Sequence, residues 1–358
     1  DNYYGNRIYD VDFSKDTYFR DKFSDFLNEY NIRACSIIVE YPTWYEVCKY
    51  LNEQYNFNVV FDYIDDYEGF ADTTHSKLKD LTENLFSLSC LTIATSNFLY
   101  EKTKIHCDNV RIIRNGTEFD FFNKAFNDLD KNAKKIGYYG AIAEWFDIEK
   151  VEYIAKHLPD IEIELIGNVS YDKCYMLSKY KNIKFLGEKS YAELTKYLID
   201  YDVCLIPFRS DIDLIKATNP VKFYEYLSAG KKIVATEIPE LLPFKNKYVY
   251  LSNNSEEFLK YVKLCLNNQD TLADKCDRIE FAKNNDWSNR CIEMDKYISE
   301  AHELVSIIIV TYNNVEYTKQ CVNSILNKSA YPNYELIIID NALSLIHISE
   351  PTRPRLIS

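Results

Sequence analysis

The chain has 358 residues, 47% of them apolar and 27% charged, and carries a formal net charge of −13. That length suits two domains of ordinary size and the remnant of a third, and the apolar content is too high for a disordered chain. The acidic balance excludes a general nucleic-acid binder, which needs a basic face, but leaves room for local pockets that hold small anions.

The longest aliphatic runs, such as VSIIIV at 305–310, are too short to span a bilayer, and no basic-then-apolar leader opens the chain. The ten cysteines stand singly, with neither a CxxC pair nor metal-ligand spacing, so the expectation is reduced, mostly buried thiols in a cytoplasmic protein. Because the first residue is Asp1 rather than methionine, the natural beginning is expected to be missing.

In chain order, ACSIIVEYP (34–42) reads as a buried strand and PTWYEVCKYLNEQY (42–55) as a helix opened by proline. A strand at 58–64, a helix at 76–89, a strand at 91–96, a helix at 97–105 and a strand at 110–116 follow. This alternation belongs to parallel sheets covered by helices, and its few strands predict a domain whose opening units are absent. The polar stretch 123–134 is the expected linker. A second, complete run has strands at 135–140, 161–167, 183–188, 203–208, 232–236 and 248–252. Helices are expected between them at 148–157, 171–180, 191–200, 220–229 and 255–267, with a last one over 287–302.

The stretch richest in chemistry is NPVKFYEYLSAGKKIVATEIPEL (219–241). Asn219 suits a helix N-cap, Pro220 a first helical position and Gly230 a left-handed C-terminal residue. The helix so defined, with Val221 in its first turn, starts where open α/β sheets bind ligands, and its free N–H groups attract phosphate. Lys222 in that turn opposes the helix dipole, an unfavourable placement that a bound diphosphate would reverse. Glu225 shares its face, so a surface Lys222–Glu225 ion pair is the competing reading.

This stretch resembles the donor-binding signature of GT-B glycosyltransferases of the retaining family 4. KKIGYYGAIAEWFD (134–147) is similar to that group's first nucleotide-domain strand and loop, and VRIIRNGTEFDFF (110–122) to the turn closing its first domain. The resemblance spans about residues 30–300. It implies two Rossmann-like domains, with a nucleoside diphosphate sugar as donor and a glycan or lipid-linked acceptor. A lipid-linked acceptor would bring the protein to a membrane surface as a peripheral visitor. It further implies polysaccharide or cell-envelope synthesis, with no cofactor, no metal and no nucleic-acid partner.

By the same resemblance Glu225 matches the second glutamate of a two-glutamate motif, which holds the ribose. The first would stand eight residues earlier, where this sequence has Ala217. Lys222 matches a basic position near the diphosphate, and Arg209 is the candidate companion, unless it pairs with Asp211 or Asp213 in its own loop. Gly137 and Gly140 flank the loop that brings backbone to the diphosphate. Glu144 is expected to face the acceptor, and Asp147 to cap the next helix. Asp62, Asp65 and Asp66 gather at a strand end, where an acidic loop is favoured over a metal site. His75 reads as a solvated loop histidine rather than a catalytic one. No GxGxxG motif supports a dinucleotide-dependent dehydrogenase. A non-catalytic sugar-nucleotide binder and a sugar-nucleotide epimerase stay open as alternatives.

VSIIIVTYNNVEYTKQCVNSILNKSAYPNYELIIIDNA (305–342) is similar to the opening strand–helix–strand of family 2 glycosyltransferases, which have the GT-A fold. There Thr311, Tyr312 and Asp340 would contact the nucleotide. The expected organisation is an incomplete acceptor-side domain at 1–125, a nucleotide-sugar domain at 126–302, a truncated GT-A start at 303–342 and a non-native tail at 343–358.

Overall fold

The structure is a computed structural model that describes residues 17–32, 34–67, 75–127, 134–268, 270–302, 304–311, 314–329, 331 and 333–340. Residues 343–358, the expected tail, lie outside the described residues. The first sheet has four parallel strands in sequential order: β1 (Ser36–Val39), β2 (Asn58–Tyr63), β3 (Leu91–Ala94) and β4 (Val110–Ile112). Helices α1 (Thr17–Glu29), α2 (Tyr45–Tyr55), α3 (His75–Leu88) and α4 (Asn97–Lys104) precede or connect them. Pro42 does open a helical segment, as a short 3-10 turn running into α2. The Ser96 side chain caps α4 by accepting from the Leu99 N–H.

After α5 (Phe119–Phe122) comes the second sheet, with six parallel strands. These are β5 (Lys135–Tyr139), β6 (Glu162–Ile166), β7 (Ile183–Gly187), β8 (Val203–Ile206), β9 (Lys232–Ala235) and β10 (Tyr250–Leu251), in the order β10-β9-β8-β5-β6-β7. The chain winds outward from β5, returns to lay β8 against it, then winds the other way. Loops leaving β5 and β8 therefore diverge, and open a crevice at their carboxyl ends. The connecting helices are α6 (Ile148–His157), α7 (Leu194–Leu198), α8 (Asp213–Ala217), α9 (Val221–Ser228) and α10 (Ser255–Asn267), followed by α11 (Leu272–Lys283). One sheet face packs on α6 and α10 through Val151, Ile154, Phe258 and Val262, and the other on α9 and α11 through Phe223, Leu227 and Ala282.

Helix α12 (Trp287–Ala301) crosses back to the first sheet, where Met294, Tyr297, Ile298 and Ala301 pack on Val60, Leu91, Ile93 and Ile113. Polar groups join the two lobes. Asn115 donates its backbone N–H to Asn219 Oδ1 at 3.0 Å and its amide to the Asn219 carbonyl at 2.7 Å. Glu240 is buried and accepts from the Asn97 N–H at 2.7 Å and from Arg114 Nε at 2.8 Å. The linker begins later than expected, because Asn123–Ala125 forms a 3-10 turn tied to the Ser228 carbonyl by Asn123 at 2.8 Å; residues 128–133 are not described.

Strands β11 (Val305–Thr311) and β12 (Tyr334–Asp340) pair in parallel around helix α13 (Val315–Lys328). His302 joins this unit to the first sheet. Its ring meets Ser36 Oγ at 3.2 Å and the Asn58 amide at 2.9 Å, and its carbonyl accepts from Asn333. The thiols are less buried than expected: Cys35, Cys276, Cys291 and Cys321 are exposed, and Cys48, Cys174, Cys204 and Cys265 are buried. The buried four fill strand and helix faces turned to the cores; the exposed four stand before β1 or on the outer sides of helices.

Candidate active site in the interlobe cleft

The carboxyl ends of both sheets open onto one cleft of about 530 Å³. The first lobe contributes Glu40 after β1, Asp62, Ile64 and Asp65 around the end of β2, Thr95 after β3, and Arg114 and Asn115 after β4. The second contributes Phe208 and the run Thr218–Lys222 at the start of α9. Trp287 and Arg290 of α12 complete the lining.

Lys222 is half-buried at the start of α9, and its amine lies over the rings of Tyr138 and Phe208 at 5.6 and 5.8 Å. It makes no ion pair or hydrogen bond among the described residues, so the surface pair with Glu225 does not form. Burial holds its pKa below the ordinary lysine value, while the charge of Glu225 works the other way. A cation there faces the positive end of a helix dipole with no ion-pair partner among the described residues. Gly140 makes this placement possible: its φ is +132°, and a Cβ on it would stand 2.2 Å from Lys222 Cε.

Glu225 is only 6% exposed. Burial pushes its pKa up to about 7, Lys222 and Tyr139 pull it down, and the charge of Glu118 adds to the rise. The Tyr139 hydroxyl is its neighbour but completes no hydrogen bond of good geometry. Tyr191 stands beside the same carboxylates and stacks on Phe121, with centroids 5.1 Å apart and planes 13° apart. Glu118 and Tyr191 carried no motif by which the sequence could single them out.

Several expectations need correction. Arg209 does not join Lys222. It grips Asp211 through Nε at 3.1 Å and Nη2 at 2.5 Å, in a separate pocket with Asp147, Lys150 and Tyr171. The in-loop reading holds because two residues of separation let the guanidinium fork meet the carboxylate bidentately. Gly137 lies within β5 and its missing Cβ is the space filled by the Tyr201 ring, so it serves packing rather than the loop. Asn219 caps no helix, because its Oδ1 is committed to Asn115; Pro220 stands before the first turn and Val221 begins it. Gly230 does adopt the left-handed conformation, with φ +67°. Asp147 caps α6 as expected, accepting from the Lys150 N–H at 3.1 Å. Glu144 is exposed and does not line the cleft. Thr311 is buried, with its hydroxyl 2.6 Å from that of Thr318. Tyr312 and the side chains of His75 and Asp340 lie outside the described residues. Among the described residues, no group of three or more acidic, His or Cys side chains has metal-holding geometry, and no helix is long and apolar enough to cross a membrane.

Two lobes with parallel sheets facing one cleft define the GT-B fold, and solved structures share it. A sucrose-phosphate synthase from Thermosynechococcus elongatus superposes with a TM-score of 0.62 at 15% identity, over 79% of this chain and 77% of that one. HepE of Anabaena, solved in complex with UDP and glucose, gives 0.61 at 14% identity, over 81% and 83%. In sequence, residues 133–268 match the family described as Glycosyl transferases group 1, and residues 306–344 match Glycosyl transferase family 2. TuaH of Bacillus subtilis, assigned to teichuronic acid biosynthesis as a glycosyltransferase, is 22% identical over 207 residues. That match takes in 53% of this chain and about half, 51%, of the relative's length.

Proposed function

We propose that the chain is a glycosyltransferase that binds a nucleoside diphosphate sugar at the start of α9 and passes the sugar to a hydroxyl of a glycan or lipid-linked acceptor, with retention at the anomeric carbon. The observation that carries this reading is Lys222, a half-buried cation with no ion-pair partner among the described residues, at a helix N-terminus in the cleft. A diphosphate would satisfy the amine and the free N–H groups together. When the bond from the anomeric carbon to the diphosphate oxygen breaks, its electron pair leaves with the phosphate, and Lys222 is placed to hold that charge. Glu225, one turn along, is placed to accept the ribose hydroxyls. UDP and glucose in the HepE complex and the biosynthetic assignment of TuaH support a nucleotide donor and an envelope polysaccharide as product. We further propose domain limits at 1–125, 126–302 and 303–342, the last being the start of a second, GT-A transferase domain.

The test is calorimetric titration of UDP into native protein and Lys222→Ala. Affinity should fall at least tenfold, and in an active preparation turnover of UDP-glucose should fall by roughly 10²–10³. Equal affinity in both proteins would refute the assignment. Epimerised UDP-glucose without any acceptor would point to an epimerase instead.

A further inference from the structure

Where the chain crosses between the lobes, the Thr117 N–H donates to the Asn285 carbonyl at 3.1 Å and the Trp287 N–H to the Thr117 carbonyl at 3.0 Å. Crossings set side by side leave the lobes a line to swing about. A second set of contacts lies one strand further in, at β3 rather than β4, about 5 Å away across the sheet. Its centre is Glu240, whose carboxylate is sealed from solvent in the 3-10 turn Pro239–Phe244 after β9. From the opposite lobe the Asn97 N–H donates to Oε1 at 2.7 Å and Arg114 Nε to Oε2 at 2.8 Å. Arg114 Nη2 donates in turn to Asn97 Oδ1 at 3.2 Å, so three residues from two lobes close a ring. Apolar packing braces it from both sides. Ala217, at the end of α8, is buried in the first lobe's cluster with Leu99 of α4. Ile215 of α8 shares the second lobe's cluster with Ile238 and Leu241, the near neighbours of Glu240.

We infer that Glu240 is a positioning residue: it clasps the first turn of α4 and holds the cleft at its working width before any ligand enters. This concerns the ligand-free chain and stands apart from the donor reading. Asn97 is the first residue of α4, so its N–H has no acceptor within the helix, and a carboxylate there also meets the positive end of the dipole. Both carboxylate oxygens are taken, one by each donor, so Glu240 accepts a single arrangement of the two lobes. Arg114 lines the cleft with 31% of its side chain exposed, which carries the clasp to the surface a ligand would meet. Swinging the lobes apart would pull Glu240 from both donors at once. Each charge-assisted bond shifts the ratio of closed to open molecules by about tenfold.

Hydrogen exchange of the full chain without ligand reads the clasp directly. The Asn97 amide should exchange at least about 100-fold more slowly than in an unstructured chain, and Glu240→Ala should remove that protection while the β3 amides keep theirs. In X-ray scattering the native chain should keep one radius of gyration with and without UDP. Glu240→Ala should be wider without UDP and contract when UDP is added. Its UDP affinity should fall about tenfold, as when a tenth of the molecules are closed. A native Asn97 amide that exchanges freely, or a native chain that contracts on binding UDP, overturns the inference. Should Glu240→Ala fail to fold, Glu240→Gln keeps a carbonyl for Asn97 and loses the bond from Arg114. It should cut the Asn97 protection about tenfold, and unchanged protection would overturn the inference as well. Failure of UDP to bind the native chain would sink the donor reading alone, because exchange and the ligand-free radii still decide whether the clasp holds.

Discussion

Strands β8 and β11 are made of similar residues and end in different surroundings. All four residues of β8, VCLI, are buried between helical layers on both faces. In β11, VSIIIVT, burial alternates: α13 shelters the side of Ile307, Ile309 and Thr311, while Ile308 and Val310 on the other side stay 60% and 63% exposed. A continuous aliphatic run therefore specifies a strand able to be buried twice, and burial itself comes from the layers that reach it. The same contrast separates energetic roles, since only the enclosed strand can convert its side chains into stability.

The contrast predicts the largest effect at Leu205, which is fully buried in β8. Leu205→Ala should cost about 2–5 kcal/mol in urea unfolding, whereas Ile308→Ala should stay within about 0.5 kcal/mol. Equal costs would show that β11 is enclosed in solution. A second prediction concerns Glu225, whose pKa is raised to about 7. The native state holds its proton more tightly than the unfolded chain, so the carboxyl's contribution to stability is greatest at low pH and declines as pH rises from about 4.5 to 7. Glu225→Gln should remove up to about 3 kcal/mol of that decline and gain stability at pH 8. Thermal melts across this range check it, and an unchanged slope would place the titration elsewhere, at Asp62 or Asp65. UDP affinity should strengthen as pH rises through 7 in the native protein and lose that dependence in Glu225→Gln. The smallest effect belongs to the β11–α13–β12 unit. Ending the chain after His302 keeps the contacts of that ring with Ser36 and Asn58, so the melting temperature should move by no more than about 4 °C while solubility improves. A larger fall would make the unit part of the body it follows.

Every strand of both sheets could be read from the sequence, because strands buried on two faces appear as short aliphatic runs between turn residues. Helix α11 could not: exposed at Leu272 and mixed in its apolar spacing, it declares itself only by a Thr271–Asp274 capping box. At the site, Lys222 was legible because a lysine in a first helical turn is a local anomaly. Arg209 misled because position after a strand says nothing about where a guanidinium turns, and a nearby aspartate decided it. Gly137 misled for a similar reason, since Tyr201, far along the chain, claims its space. The acidic wall was visible as composition, but its approach to Lys222 depends on how two lobes meet, which no single segment encodes.

The contact between Asn115 and Asn219 gives the molecule a shared pivot. Two hydrogen bonds, both donated by Asn115 and accepted by Asn219, fix distance and orientation together, so the two residues turn as one. Asn219 leads into the first turn of α9, and Asn115 follows the last strand of the opposite lobe. A ligand that draws this turn toward itself would tilt the opposite wall as well. Reciprocity then fixes the bookkeeping: whatever factor one ligand adds to the affinity of the other must be returned in equal measure, and Asn115→Ala should move that factor toward one.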